Sequence, residues 1–193
     1  MYLKVLKKTL RYVFALLAIL IVGLFLWLNF GVYTFTNRAE RDDIIAQVKS
    51  APALPERFMK IYTKVNEEEI NKSVSVWLLH ALNGHSYYQQ PHVKVAEEVV
   101  MLGRRGEIMN IAAMAFFLER NVTVTECIQF RSAYMDFTHG CIGVQKAAVY
   151  YYHKTLPALS DDEMIGLIAM YKNPSLYNPL RKSSSSFRIG SIR

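Results

Sequence analysis

An uncharged, mostly apolar run near the amino terminus places the strongest constraint on what this chain can fold into. No charged residue occurs from Tyr12 to Asn37, and a helix needs only about 20 residues to cross a ~30 Å hydrocarbon layer. The run is also longer than the roughly 7–15 residues of a signal-peptide core, and no small-x-small cleavage site follows it. We therefore predict an uncleaved signal anchor over residues 12–37.

The charges before this run predict its orientation. Lys4, Lys7, Lys8 and Arg11 precede it, and basic residues are enriched on the cytoplasmic side of membrane spans. We expect a single-pass protein with a cytoplasmic amino terminus and with the remaining chain on the outer side. Trp27 and Tyr33, near the far end, are typical of an interfacial aromatic belt.

The basic net charge does not indicate a nucleic-acid partner. The chain carries a net charge of +7, but residues 1–11 and 181–193 hold four Lys or Arg each. Between them, residues 12–180 hold 15 basic and 16 acidic residues. A nucleic-acid groove needs basic charge clustered on the folded body, so the sequence predicts no nucleic-acid binding.

The cysteines and histidines do not form a recognisable metal motif. Cys127 and Cys141 belong to no spaced Cys/His set, so we predict no structural metal site. Cys127 falls on the apolar side of a predicted helix, where a free buried thiol is the usual state. His80, His85 and His92 have spacings that do not suit one helix face, and we expect each to be singly satisfied or exposed.

Helical periodicity dominates from Pro55 onward and predicts an all-α domain with a single core. The segment 107–119 is apolar on several faces, as in a central buried helix. Two helix starts carry capping boxes, Thr123 with Glu126 and Ser160 with Glu163. The predicted organisation is a cytoplasmic basic segment (1–11), the anchor (12–37), a linker with a short helix at 40–49 (38–54), the helical domain (55–180) and a disordered, basic, Ser-rich tail (181–193).

An ordered set of residues from Leu118 to Pro179 carries a family resemblance. It begins with Leu118-Glu119-Arg120 and ends with Pro174-Ser175-Leu176-Tyr177-Asn178-Pro179. It resembles the C-terminal half of the peptidoglycan glycosyltransferase domain, glycosyltransferase family 51, of penicillin-binding proteins and monofunctional transglycosylases. Between the two ends, the residues that keep the family's spacing are Gly143, Val144, Ala147, Ala148, Tyr151, Leu159, Glu163, Leu167 and Ala169.

The resemblance implies a lysozyme-like helical domain behind one transmembrane helix, on the outer or periplasmic side of the bacterial inner (cytoplasmic) membrane. It implies polymerisation of the lipid-linked disaccharide-peptide precursor of peptidoglycan, with other cell-wall synthesis proteins as further partners. It also implies that the Pro-x-x-Tyr-Asn-Pro end is a structural terminus of the domain rather than a catalytic site.

The first catalytic motif of the family is missing. Members use a glutamate in Glu-Asp-x-x-Phe-x-x-His as general base on the acceptor hydroxyl, and that motif does not occur here. The corresponding region offers Glu67 with its neighbours Glu68 and Glu69. We predict Glu67 as the base if the protein acts; the alternative is a solvated acidic helix start.

The second motif, Arg-Lys-x-x-Glu, is displaced. Its glutamate would fall at Ile111, whereas Arg104, Arg105 and Glu107 lie about one helical turn earlier. The resemblance implies that Glu107 assists at the pyrophosphate, usually with a divalent cation such as Mg²⁺, and that the two arginines bind the phosphates. The alternative is a capped, exposed helix start.

A shortened form of the family's Gly-x-Ser-Thr-Ile-Thr-Gln-Gln motif spans residues 84–90 and suggests Ser86, Gln89 and Gln90 as substrate-binding residues. Because both signature glutamates are absent from their expected positions, we predict degenerate catalysis. Three hypotheses remain open: an active glycosyltransferase with rearranged acids, a non-catalytic relative that binds the precursor or a cell-wall partner, and a membrane-anchored helical module of related architecture.

Overall fold

The computed structural model describes residues 2–83, 90–102 and 108–181. Within these ranges the chain is helical, without a β-strand, and the single β-bridge joins Asp136 to Ile142. This confirms the predicted all-α class. The helices are α1 (Tyr2–Phe30), α2 (Val32–Phe35), α3 (Arg38–Lys49), α4 (Glu56–Val65), α5 (Glu67–Ile70), α6 (Val74–Leu82), α7 (Pro91–Leu102), α8 (Ile108–Asn121), α9 (Val124–Tyr134), α10 (Val144–Tyr152), a 3₁₀ turn (Leu156–Ala158) and α11 (Asp161–Met170).

Helix α1 is long and apolar enough to cross a membrane. Its segment Val5–Phe30 has a mean hydropathy of 2.6, and none of its most apolar window is buried in the fold. The helix ends before the uncharged run does. Gly31 separates it from α2, whose Val32 is only 1% exposed, so the last part of the run, predicted as membrane span, folds onto the domain.

One hydrophobic core gathers the end of α1, helices α2 and α3, and helices α6 to α9. We call it the anchor core. The predicted central helix α8 lies in it with seven of its side chains buried, and α7 and α8 form the most extensive helix pair. Its members include Val32, Val48, Trp77, Leu118 and Phe130.

A second core, the C-terminal core, gathers α4, α10, α11 and the turns between them. Phe58, Phe137, Leu156, Met164 and Leu167 are among its fully buried members. Helix α9 lies between the two cores, since Cys127 belongs to the anchor core and Ile128 to the C-terminal core.

Both predicted capping boxes are present. The Thr123 side chain accepts from the Glu126 backbone N–H, and Ser160 does the same for Glu163. In each case the glutamate carboxylate accepts the N-cap backbone N–H in return. These reciprocal bonds satisfy amides that the helix itself leaves unpaired, which is why α9 and α11 begin where the sequence predicts.

A glycine fixes the turn before α10. Gly143 has φ +87°, and a Cβ placed there would lie 2.6 Å from the carbonyl oxygen of Ala133. Only glycine fits this left-handed, crowded position. The Gly143 N–H also donates to the Met135 carbonyl at 2.9 Å, which closes the turn between α9 and α10.

The segment predicted as a linker, residues 38–54, contains α3, which packs on α9 and contributes the 1%-exposed Val48 to the anchor core. Asn37 and Glu40 form a third capping box at its start. At the other end of the chain, Asn173 and Asn178 accept the backbone N–H groups of Leu176 and Leu180. The predicted disordered tail lies outside the described residues from position 182 onward.

Candidate functional site

The structure describes two of the seven predicted site residues. Glu67 is the exposed first residue of the four-residue helix α5, and Gln90 is a buried residue just before α7. Ser86 and Gln89 precede α7, and Arg104, Arg105 and Glu107 follow it; these five lie outside the described residues. Along the sequence, therefore, α7 separates the first two of these residues from the other three, and its twelve residues span about 17 Å.

Gln90 is part of the packed interior. Its side-chain Nε2 donates to His92 Nδ1 at 3.0 Å, and its Oε1 accepts the Val93 backbone N–H at 2.9 Å. The side chain therefore caps α7 from within the fold, since Gln90 is only 1% exposed. In this arrangement its amide is bonded to the protein rather than presented to a ligand.

His92 completes this bonded group and is the satisfied histidine that the sequence predicts. Its Nε2 lies 3.0 Å from the Val122 carbonyl, which can only accept, so Nε2 carries the proton and Nδ1 accepts from Gln90. Burial lowers the pKa of His92 below its ordinary value of 6.5. The neutral ring links the start of α7 to the end of α8.

A buried polar group lies between the two cores, and we call it the polar centre: Tyr62, Glu98, Arg131, Ser132 and Tyr171. Arg131 Nε donates to Glu98 Oε1 at 3.0 Å, with 6% of the arginine side chain and 32% of the glutamate side chain exposed. The Arg131 guanidinium also lies 5.6 Å from the centroid of the Tyr171 ring. The pair therefore joins α7 to α9 beside the C-terminal core.

Hydrogen bonds complete the polar centre. The Tyr171 hydroxyl donates to Ser132 Oγ at 2.6 Å, and Ser132 Oγ donates to the Ile128 carbonyl at 2.6 Å. Burial raises the pKa values of Tyr62, Tyr171 and Glu98, and for Glu98 the Arg131 charge opposes that rise. The tyrosines therefore stay neutral and act as hydrogen-bonding groups.

The half-buried carboxylates of the described residues around the polar centre and α8 have basic or backbone partners. Glu69 Oε1 lies 3.4 Å from Lys172 Nζ, and Glu119 Oε1 accepts the Val74 N–H at 2.9 Å and caps α6. Glu69 Oε2 is buried without a hydrogen-bond partner among the described residues, so only one of its oxygens is paired. Glu67 and Glu68 are exposed.

The position of the family's second glutamate is filled by a core side chain. Ile111 is 8% exposed and belongs to the anchor core. Across the described ranges, no three His, Cys, Asp or Glu residues converge as metal ligands. The described residues therefore do not fit a Mg²⁺ site, and because Glu107 lies outside them the expectation of Mg²⁺ stays a prediction.

Helix α1, the candidate membrane span, is joined to the domain by specific polar contacts. Trp27 Nε1 donates to the Met109 carbonyl at 3.1 Å, and Arg120 donates to Asn29 Oδ1 at 2.7 Å. The Tyr33 ring packs edge-on to Phe117. Trp27 and Tyr33, predicted as interfacial anchors, thus contact the two ends of α8 and set how the span meets the domain.

Sequence reasoning missed the polar centre, although a signal was present. Arg131 follows the buried Cys127 by four residues, so helical spacing places it on the buried side of α9. A buried arginine needs a carboxylate or aromatic partner, but nothing local identifies Glu98, which lies 33 residues earlier.

Comparison with known protein families matches the part of the chain from α7 onward. The family model described as Transglycosylase matches residues 92–189, about half of the chain. Penicillin-binding protein 4 of Bacillus subtilis (strain 168) is 35% identical over 69 residues, which make up 36% of this chain and 11% of that protein. The chain therefore corresponds to a small part of that relative. No solved structure matches it.

Proposed function

We propose that this chain, which belongs to the transglycosylase family, is a membrane-anchored, peptidoglycan glycosyltransferase-like protein that binds the lipid-linked disaccharide-peptide precursor of the cell wall. We further propose that its polymerising activity is slow or lost. Its place would be the bacterial cytoplasmic membrane, with the amino terminus in the cytoplasm and the domain outside.

The junction between α1 and the domain supports membrane placement. A lipid-linked sugar is confined to the bilayer surface, so a domain that acts on it must stay there. Trp27 and Asn29, at the end of the candidate span, are hydrogen-bonded to α8, and Val32 just beyond them is in the anchor core. These contacts hold the domain against the end of the span rather than on a long tether.

The state of the carboxylates supports the proposal that the polymerising activity is slow or lost. A general base must reach the acceptor hydroxyl with a free oxygen and a pKa suited to accepting its proton. Glu98 is paired with Arg131, Glu119 caps α6, and Glu69 has one oxygen towards Lys172 and the other buried away from any acceptor substrate. Glu67 is exposed on a short helix, where water screens its carboxylate.

The same observation favours a second candidate, a non-catalytic binding or scaffold partner of the cell-wall synthesis machinery. Engaged carboxylates stabilise the helices, and among the residues that the structure describes none is left both free and positioned as a base for transfer chemistry. Binding of the precursor without any turnover is the result that would select this candidate, with other cell-wall synthesis proteins as its partners.

The test is paired transfer and binding assays on the detergent-solubilised full-length protein. Labelled lipid-linked precursor is incubated with Mg²⁺ or with a chelator, and glycan polymer is resolved by gel electrophoresis while binding is followed by fluorescence anisotropy. We expect saturable binding and little polymer. Glu67→Gln and Glu107→Gln are compared with Glu68→Gln, which removes an equally exposed charge from the same helix as Glu67.

The outcomes separate the two parts of the proposal. Rapid polymer formation that Glu67→Gln or Glu107→Gln abolishes, and Glu68→Gln preserves, would show an active enzyme with a displaced catalytic acid. Absence of saturable precursor binding would refute the proposed ligand.

A further inference from the structure

The first turns of α1 present a one-sided basic face. Lys7, Lys8 and Arg11 are all exposed, and their spacing places them within about 100° of arc on one side of the helix. With Tyr12 they line a shallow surface hollow. In the sequence, Lys4 adds a fourth basic residue at the same helical spacing.

The part of α1 between its last basic residue and its first hydrogen bond to the domain is short for a bilayer. Arg11 is its last basic residue, and Trp27 is where hydrogen bonding to the domain begins. The intervening segment Tyr12–Leu26 is about 22 Å long, against a hydrocarbon layer of ~30 Å. Such a mismatch is relieved when flanking Lys and Arg side chains extend along the helix to the headgroups and the bilayer thins locally.

This geometry brings the three cationic groups to the depth of the lipid phosphates. Their positive charges crowd one side of the helix, without a carboxylate among residues 2–39 to neutralise them. A zwitterionic lipid carries its own compensating cation, whereas an anionic lipid leaves its negative charge for the protein. Juxtamembrane basic clusters favour anionic leaflets on this ground.

We propose that the face formed by Lys7, Lys8 and Arg11 binds the phosphates of anionic phospholipids in the leaflet at the amino-terminal end of the span. The inference rests on the membrane placement proposed above. The face continues directly into the span, so the anionic lipids of that leaflet are the anions that it meets first.

The test is competitive lipid binding to the full-length protein. The purified protein is equilibrated in mixed micelles with equal amounts of phosphatidylglycerol and phosphatidylcholine, and native mass spectrometry gives the ratio of the two lipids bound. We expect enrichment of phosphatidylglycerol. Because each basic residue near an anionic surface contributes roughly a fivefold preference, the triple variant Lys7→Gln/Lys8→Gln/Arg11→Gln should lower the ratio at least fivefold.

Two further variants make the result specific. Lys60→Gln/Lys64→Gln/Lys146→Gln removes the same charge from exposed positions on α4 and α10 and should leave the ratio unchanged. Lys7→Arg/Lys8→Arg keeps the charge and should retain the enrichment. Inorganic phosphate at matched ionic strength should not displace the lipid, because a free ion lacks the acyl chains that hold the headgroup at this depth.

Equal binding of the two lipids, or an equal loss in the control triple variant, would overturn the proposal. So would binding of a single-stranded oligonucleotide that the α1 substitutions abolish while lipid binding stays unselective. Resistance of the protein to carbonate extraction from membranes is measured alongside. Release by carbonate would refute the membrane placement itself, and retention with unselective binding would refute only the lipid assignment.

Discussion

The anchor core and the C-terminal core both join distant parts of the chain, since Arg57 of α4 donates to Asp161 and to the Leu159 carbonyl in the C-terminal core. They differ in that sequence reasoning placed only the elements of the C-terminal core within one domain. Elements of the C-terminal core start and stop at local signals, such as the Ser160 capping box and the left-handed Gly143. The anchor core depends on contacts between distant parts of the chain: Trp27 with Met109, Arg120 with Asn29, and Glu119 with Val74. Local signals can be read from a sequence, whereas these distant contacts cannot, and sequence reasoning divided the anchor core into anchor, linker and domain.

The two cores are expected to unfold together because α9 packs into both. Leu118→Ala in the anchor core and Leu167→Ala in the C-terminal core each remove a fully buried side chain and should lower the free energy of unfolding by about 2–5 kcal/mol. Denaturation is followed by far-ultraviolet circular dichroism, which reports all helices, and by tryptophan fluorescence. Both tryptophans, Trp27 and Trp77, lie on the anchor-core side. If Leu167→Ala shifts the dichroism transition but not the fluorescence transition, the cores are independent.

The Arg131–Glu98 pair should make the next largest contribution to the coupling between the two cores. Arg131→Met leaves Glu98 half-buried without its partner and should cost about 3 kcal/mol of unfolding free energy. The double variant Arg131→Met/Glu98→Leu should recover most of that loss, because an apolar pair of similar size needs no charge compensation. Additive losses in a double-mutant cycle would mean that the pair is not coupled.

Capping boxes allow a matched comparison of the two cores. Asn37→Ala removes the cap of α3 in the anchor core, and Ser160→Ala removes the cap of α11 in the C-terminal core. Each should cost about 1 kcal/mol, since each leaves one helix amide unpaired. Thermal denaturation in detergent measures both losses. A negligible effect of Asn37→Ala beside a normal effect of Ser160→Ala would indicate that α3 is held by packing alone.

The cores should also respond to acid in different pH ranges. We expect these effects on stability to be smaller than those of the core, ion-pair and cap substitutions. Burial lowers the pKa of His92, so its contribution is complete above about pH 6.5 and is lost as pH falls through the folded value. Hydrogen bonds from Lys154 and from the Ser160 backbone lower the pKa of Glu163, so its contribution is kept above about pH 4.5 and is lost only below that.

The corresponding variants separate the two ranges. His92→Gln should flatten the loss of melting temperature between about pH 7 and pH 5, while Glu163→Gln should change only the more acidic limb. His153→Asn, at an exposed position with a left-handed backbone, serves as the surface control. An unchanged slope in His92→Gln would show that other groups set the stability in the neutral range.

Sequence reasoning recovered the helical class, the central helix α8, both predicted capping boxes and the buried free Cys127, whose thiol pKa burial raises to about 12. It also placed the family resemblance in the region that the family model matches. It did not anticipate that Gln90 is buried and bonded within the fold, because a motif-like spacing carries no information about burial. The Asn37 cap could have been read from its Asn-x-x-Glu spacing.

The sequence by itself determined the features that depend on neighbours along the chain. These are the apolar α1, the caps that start α9 and α11, and the glycine turn before α10, because a helix end or a tight turn is satisfied by residues a few positions away. Only the tertiary structure decided that Val32 and Val48 belong to the anchor core and that Arg131 finds Glu98. Such pairings depend on which surfaces meet when the helices pack, and residues distant in sequence meet only in the assembled fold.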